Sequence, residues 1–332
     1  MMHDGRMRVI IHIGLTKTGT SSLQQAFFQE RALLSRHGIV YLVPTGSPQP
    51  TSAGLANTVI HDLPGLDETW AKLEPMTEGF QTALISSENF QIAKPENIAA
   101  FKDLLDRRLQ APDFIIYVGI RRWADRLVSL WQQDVRHGGF LSLPAYLERQ
   151  LAAGPDGHPL DIARPIARWG QVFGAQSIMI SRVDPGQDIV STTFRDLLGI
   201  TDSVAPHAAN RSIIEQTEII RAINLRHMDL HPRDRRTVIR SVLHFWNRSK
   251  RSVMAAAQLL AGRLQAVQIS DDHPLFLELE RRSGHHFPHG QPRSWFYVAD
   301  SAFVRQDIHD LITMIDRKAG KRIARQKKTG SP

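Results

Sequence analysis

Hydrophobic positions in the first 200 residues fall into short β-branched runs separated by longer stretches at helical spacing. Val9, Ile10, Ile11 and Ile13 form the first run, dense enough for a strand of a parallel sheet covered on both faces. Runs at 39–43, 82–87 (TALISS), 113–120 (DFIIYVGI) and 177–181 predict four further strands. Between them, Leu23, Ala26 and Phe27 begin an apolar helix face. Further helices are predicted over 53–60, 66–80, 95–110, 123–135, 143–151 and 162–173, with one more ending near Gly199. Pro75 ends or kinks the 66–80 helix, whereas Pro95 occupies a favoured first-turn position. From Ser212 the pattern reads as helix after helix, at 212–227, 232–248, 251–268, 272–283 and 303–324, and no internal repeat is evident. Strands alternating with helices define an α/β protein with a helical C-terminal part. The expected division is an α/β core at 1–205 and a helical extension of the same domain at 206–332.

Composition narrows the setting. The chain has 332 residues and is 42% hydrophobic, enough for a substantial core. It has no cysteine, which excludes disulfides and thiolate metal sites. The opening MMHDGRMR lacks the apolar run of a signal peptide, and no stretch approaches the length of a membrane span, so the expected location is cytoplasmic. A formal charge of +8 favours anionic ligands without choosing among nucleotide, acidic glycan, nucleic acid or lipid. Residues 317–328 hold seven basic and no acidic side chains, either a solvated helix end or a contact to an anionic glycan or membrane surface.

The chemistry concentrates after the first strand, in GLTKTGTSSLQ. Gly14 and Gly19 bracket an arc, and Thr20, Ser21 and Ser22 stand where a helix begins. Such a turn directs backbone N–H groups into one concavity at a helix N-terminus, which suits phosphate or sulfate. The arc is not a Walker A loop: Thr20 fills the slot directly after the second glycine, and Lys17 comes two residues before it. No downstream strand ends in a convincing magnesium-binding aspartate.

HIGLTKTGTSSLQ resembles the 5′-phosphosulfate loop HIGxxKTGTTxLQ of bacterial carbohydrate-type sulfotransferases that use 3′-phosphoadenosine 5′-phosphosulfate (PAPS), with Ser21 replacing a threonine. IRRWADRLVSLW is similar to the family's RxPxDRxxSxY element, with Trp123 in place of the proline and Trp131 in place of the aromatic. SSEN resembles the family's SSE segment, Asn210–Arg211–Ser212 its NxS helix start, and Trp169 with Phe173–Gly174 its WxxxFG approach to the last strand. The resemblance covers about residues 8–225. It implies a three-layer parallel sheet of the P-loop-NTPase-like sulfotransferase fold. It further implies in-line sulfuryl transfer from PAPS to a hydroxyl or amine acceptor, a saccharide or glycolipid, without a metal.

The implied roles follow residue by residue. Glu88 is the base, and Lys17 stabilises charge on the bridging oxygen. Residues Thr18, Gly19, Thr20, Ser21 and Ser22 cradle the 5′-phosphate. Arg121 and Ser129 hold the 3′-phosphate, and Arg211 reaches towards it. His12 and His61 are reserve bases, His12 lying inside the strand pattern. His285, His286 and His289 form a cluster that reads either as a metal site or as a histidine-rich loop. Acceptor recognition is expected in 44–80, 136–160 and the C-terminal helices, and no specific nucleic-acid partner is expected. Two alternatives stay open: a P-loop nucleotide kinase or NTPase, and a non-catalytic nucleotide- and glycan-binding protein.

Overall fold

The computed structural model describes residues 6–44, 46–47, 49–110, 112–156, 158–183, 188–202, 204, 214–231, 236–240, 260, 263–285, 294–299, 310, 313 and 317. The chain divides into two compact units. The first comprises Met1–Trp123, Pro155–Ala209 and Pro274–Gly290; the second comprises Ala124–Gly154, Asn210–His273 and Gln291–Pro332.

The first unit is built on five parallel strands, β1 (Arg8–His12), β2 (Ile39–Tyr41), β3 (Thr82–Ser86), β4 (Asp113–Arg121) and β5 (Ile178–Val183), in the order β2-β3-β1-β4-β5. β1 is central, and the chain passes from β3 on one side of it to β4 on the other. The crevice at the carboxyl ends of such a switch point is where open α/β sheets bind ligands.

Register decides which residues share a face. Ile10 pairs with Leu84 and Ile115, and His12 with Ser86 and Tyr117. Ile10, Leu84 and Tyr117 pack into one core with Leu23 and Phe27 of α1 (Thr20–Gln29), Leu33 and Leu34 of α2 (Arg31–Arg36), and Val190 and Phe194 of a later helix, Ile189–Asp196. The opposite face carries Phe114, whose ring meets Phe173 at 4.8 Å. Phe173 ends the helix Ala163–Phe173, and Trp169 of that helix meets Phe90, which stacks on Phe101 of α5 (Pro95–Arg108). Helices therefore cover both faces. This explains the unbroken apolar runs of β1 and β4, whose central residues are buried on either side.

The 66–80 stretch is interrupted, as Pro75 requires: α4 (Leu66–Ala71) follows α3 (Ala53–His61) and gives way to a 3-10 turn, Glu74–Thr77. The helix Pro274–Ser283 belongs to this unit and stacks Phe276 on Trp123.

The second unit holds most of α6 (Trp123–Arg136), together with α7 (Leu143–Ala152), a helix Ile214–Arg226 and two strands. The expected helix over 251–268 is corrected here. Leu264–Gln268 is a strand, β6, paired antiparallel with β7, Ser294–Val298. Leu, Gln and Ala favour helix locally, but the partner SWFYV is strongly β-prone, and cross-strand pairs such as Tyr297 Oη donating to Gln265 Oε1 (2.7 Å) outweigh that preference.

The Ile214–Arg226 helix buries a charged pair against β7. Arg221 Nε donates to Glu218 Oε2 (2.6 Å), Val298 N donates to Glu218 Oε1 (2.9 Å), and Arg221 Nη2 donates to Val298 O. Of 232–248 only 236–240 are described, and they are helical; 303–324 and the basic 317–328 lie almost wholly outside the described residues. No helix among the described residues is long and apolar enough to cross a membrane.

His12 closes β1, wholly buried. Its Nδ1 bonds Ser86 Oγ at 2.8 Å, its Nε2 has no partner, and burial pushes its imidazole down to about 4. A histidine held neutral below its usual value near 6.5 binds its proton in the unfolded chain first, so its contribution to stability is present above pH 6.5 and lost on acidification. Stability is expected to fall by about 3 kcal/mol between pH 7 and pH 4 from this group, at about 1.4 kcal/mol for each pH unit between the two values. Denaturant unfolding of wild type and His12→Asn across this range checks it: the variant's curve should lack that part of the slope.

Candidate functional site

β1 does not end in a simple turn. Ile13 N still bonds Tyr117 O (3.2 Å), carrying the pairing one residue further, and Leu15 then presents its carbonyl inward. Two hydroxyls donate to it, Thr18 Oγ1 at 2.8 Å and Thr20 Oγ1 at 3.1 Å. The backbone takes positive φ at Gly14 (22°), Lys17 (68°) and Gly19 (89°).

Gly14 is demanded by space as well as by φ, and at Gly19 φ and a tight fit both favour glycine. A Cβ on Gly14 would lie 2.7 Å from Thr20 Cγ2 and 3.3 Å from Glu88 Cα. One on Gly19 would lie 3.1 Å from Ile189 Cδ1. Lys17 is the unusual member, a long side chain held in the left-handed region.

α1 starts directly after Gly19, with no side-chain cap and no acidic residue in its first turn. Its first N–H groups have no partner within the helix and add to the positive end of the helix dipole. Thr18 and Thr20 are buried, so their hydroxyls brace the loop from inside; Ser22 and Lys17 are half-buried and Ser21 is exposed. Threonine and serine look equivalent in the sequence, and their division into inward braces and outward hydroxyls emerges only from the fold.

Glu88 arrives from the neighbouring strand. Ser87 N bonds His12 O (3.1 Å), which holds the end of β3 beside the end of β1. Glu88 then opens a 3-10 turn, Glu88–Ile92, and is exposed. Ser87 Oγ accepts from Asn89 N (3.2 Å) and caps that turn. The turn touches the loop again where Thr16 Oγ1 donates to Gln91 Oε1 at 3.3 Å.

Arg121 comes from the other side of β1. β4 runs past the end of β1, and a Cβ on Gly119 would lie 3.7 Å from Thr18 Oγ1. Arg121 is two residues on, hence on the same face of the strand and about 7 Å further along it. The half-buried Arg121 therefore leaves the sheet on the face that carries the loop and α1.

The fold brings Lys17, Thr18, Gly19, Thr20, Ser21, Ser22, Glu88 and Arg121 to one sheet edge. Ser129, half-buried in the second turn of α6, is described within the second unit, and Arg211 lies outside the described residues. His61 is exposed at the end of α3, while His12 is enclosed in the core. His285 is half-buried and its imidazole is lowered by burial and by Arg182; His286 and His289 lie outside the described residues.

Sequence reasoning missed Asn57, Gln91 and Arg168. Asn89 Nδ2 donates to Asn57 Oδ1 of α3 at 2.8 Å, and Arg168 bonds backbone carbonyls just beyond Glu88. Nothing local marks these residues, because their partners are distant in sequence.

No family model matches the chain, and no curated protein matches it. Among solved structures, it is similar to the crystal structure of a sulfotransferase from Alicyclobacillus acidocaldarius, with 17% identity and a TM-score of 0.37 over 67% of this chain and 95% of that chain. A likeness of this size does not by itself fix an activity.

Proposed function

We propose that the protein transfers a sulfuryl group from PAPS to an acceptor hydroxyl. The observation that carries the reading is the uncapped N-terminus of α1, approached by a loop with three left-handed residues and flanked by Lys17 and Glu88. That helix start suits the donor's 5′-phosphosulfate: it has no side-chain cap and no carboxylate in its first turn, and the glycines let the loop pack against Thr20 and Ile189 without a Cβ between them.

In this reading the N–H groups of residues 18–21 and the outward Ser21 and Ser22 hold the 5′-phosphate, with Thr18 and Thr20 acting through their backbone. Arg121 is assigned to the 3′-phosphate by its position past the loop. Ser129 and Arg211 join that assignment on their sequence element alone.

Glu88 takes the proton of the acceptor hydroxyl as its oxygen bonds to sulfur. The bond from sulfur to the phosphate oxygen breaks, and Lys17 meets the charge that develops there. Positioning and charge stabilisation supply most of the rate, as in phosphoryl transfer. Asn57 of α3 and Asn89 bond to each other next to the exposed Glu88, where an acceptor would approach. Their neutral, hydrogen-bonding character suits a polyhydroxylated acceptor such as a saccharide.

Lys17→Ala is expected to lower kcat about 100-fold, or about 3 kcal/mol, by analogy with the loss of one oxyanion donor. Alanine bears left-handed φ no worse than lysine does, so the loop persists; turnover at the wild-type rate would remove Lys17 from the mechanism. Glu88→Gln should bind 3′,5′-adenosine bisphosphate with unchanged affinity in calorimetry while transfer from PAPS is lost. Retained transfer would move the base elsewhere. Arg121→Ala should weaken the bisphosphate at least about tenfold more than 5′-AMP, the scale of one charge-assisted contact. Equal losses for both ligands would detach Arg121 from the 3′-phosphate.

A further inference from the structure

The turn that carries Glu88 is held from behind by one guanidinium. Arg168, on the helix Ala163–Phe173, donates through Nη1 to Ala93 O (2.8 Å) and through Nη2 to Gln91 O (3.2 Å), while Nε bonds Arg164 O (3.3 Å) on its own helix. All three nitrogens are spent on backbone carbonyls. Its neighbour Trp169 adds a bond from Nε1 to Phe90 O (3.3 Å). Two consecutive side chains of one helix thus fasten the carbonyls of Phe90, Gln91 and Ala93.

Gln91 faces both ways. Its carbonyl is gripped by Arg168, and its side chain accepts from Thr16, the residue before Lys17. A continuous path runs from the helix through Arg168 and Gln91 to the loop that carries Lys17.

We propose that Arg168 and Gln91 are positioning residues that set the Glu88 turn in register with the Lys17 loop. The proposal rests on the sulfuryl-transfer reading, in which the base and the lysine act at opposite ends of one line through the sulfur. Displacement of either end by about 1 Å takes the attacking and leaving oxygens off that line and costs up to about 100-fold in rate. A planar fork can span carbonyls two residues apart, whereas the ammonium of lysine is a point charge and cannot.

The test uses Gln91→Met, which severs the side-chain link to Thr16, and Arg168→Lys, which keeps the charge and loses the fork. In steady-state transfer from PAPS, each variant should lose about 30-fold in kcat. The KM for PAPS and the calorimetric affinity for 3′,5′-adenosine bisphosphate should change less than twofold. Amide hydrogen exchange of the full chain without ligand should accelerate in both 87–93 and 13–19, although neither substitution lies in the loop.

A kcat within twofold of wild type overturns the proposal, as does faster exchange confined to 87–93. Should the wild type fail to transfer from PAPS at all, the sulfuryl-transfer reading falls. The exchange pattern then decides the linkage on its own: acceleration in both segments upholds it, and an unchanged loop refutes it.

Discussion

Two threonine hydroxyls converge on the carbonyl oxygen of Leu15, and the shape of the Gly14–Gly19 loop depends on that convergence. Each bond contributes about 1 kcal/mol net. Holding Lys17 in the left-handed region costs about 1–2 kcal/mol, so the pair of bonds roughly offsets the strain of the one non-glycine residue in the loop that adopts it. With the hydroxyls turned inward, the backbone N–H groups at the start of α1 are left facing outward without a side-chain cap. The glycines complete the arrangement, since a Cβ on either would press on Thr20 or Ile189. The proposed anion site depends on what the loop bonds internally as much as on what it leaves open.

The sheet delivers the other charged groups to this edge by strand length. β1 stops at His12 and hands over to the loop, β3 ends at Ser86 and turns into Glu88, and β4 continues to Arg121. A cation from one neighbour and a carboxylate from the other therefore flank the loop. Lys17 and Arg121 with the helix dipole favour an anionic ligand, and Glu88 stands on the exposed side, where the proposal places the base.

Much of this frame was legible in the sequence, because parallel strands covered on both faces read as short, mostly apolar runs, and each of the five strands of the sheet carries one. Gly14, Lys17 and Gly19 were legible because turn chemistry is local. The β6–β7 pair was not: Leu264–Gln268 carries helix-forming residues and becomes a strand through a partner some 30 residues away. The Ile214–Arg226 helix similarly buries Glu218 and Arg221, charges that a hydropathy pattern assigns to solvent. In the candidate site, the roles of Gln91 and Arg168 depend on contacts across 75 and 77 residues, and no spacing rule reaches that far. The hydroxyls of Thr18 and Thr20 were legible as residue types and not as directions.

The central claim is that the backbone of residues 18–21 receives the donor's 5′-phosphate. Titration of the isotope-labelled chain with 3′,5′-adenosine bisphosphate, followed by amide resonances, addresses it directly. The account predicts large, saturable downfield shifts at Gly19, Thr20 and Ser21, matching the calorimetric affinity and persisting in the presence of a metal chelator. Saturable binding that leaves those amides unmoved while shifting others would contradict it.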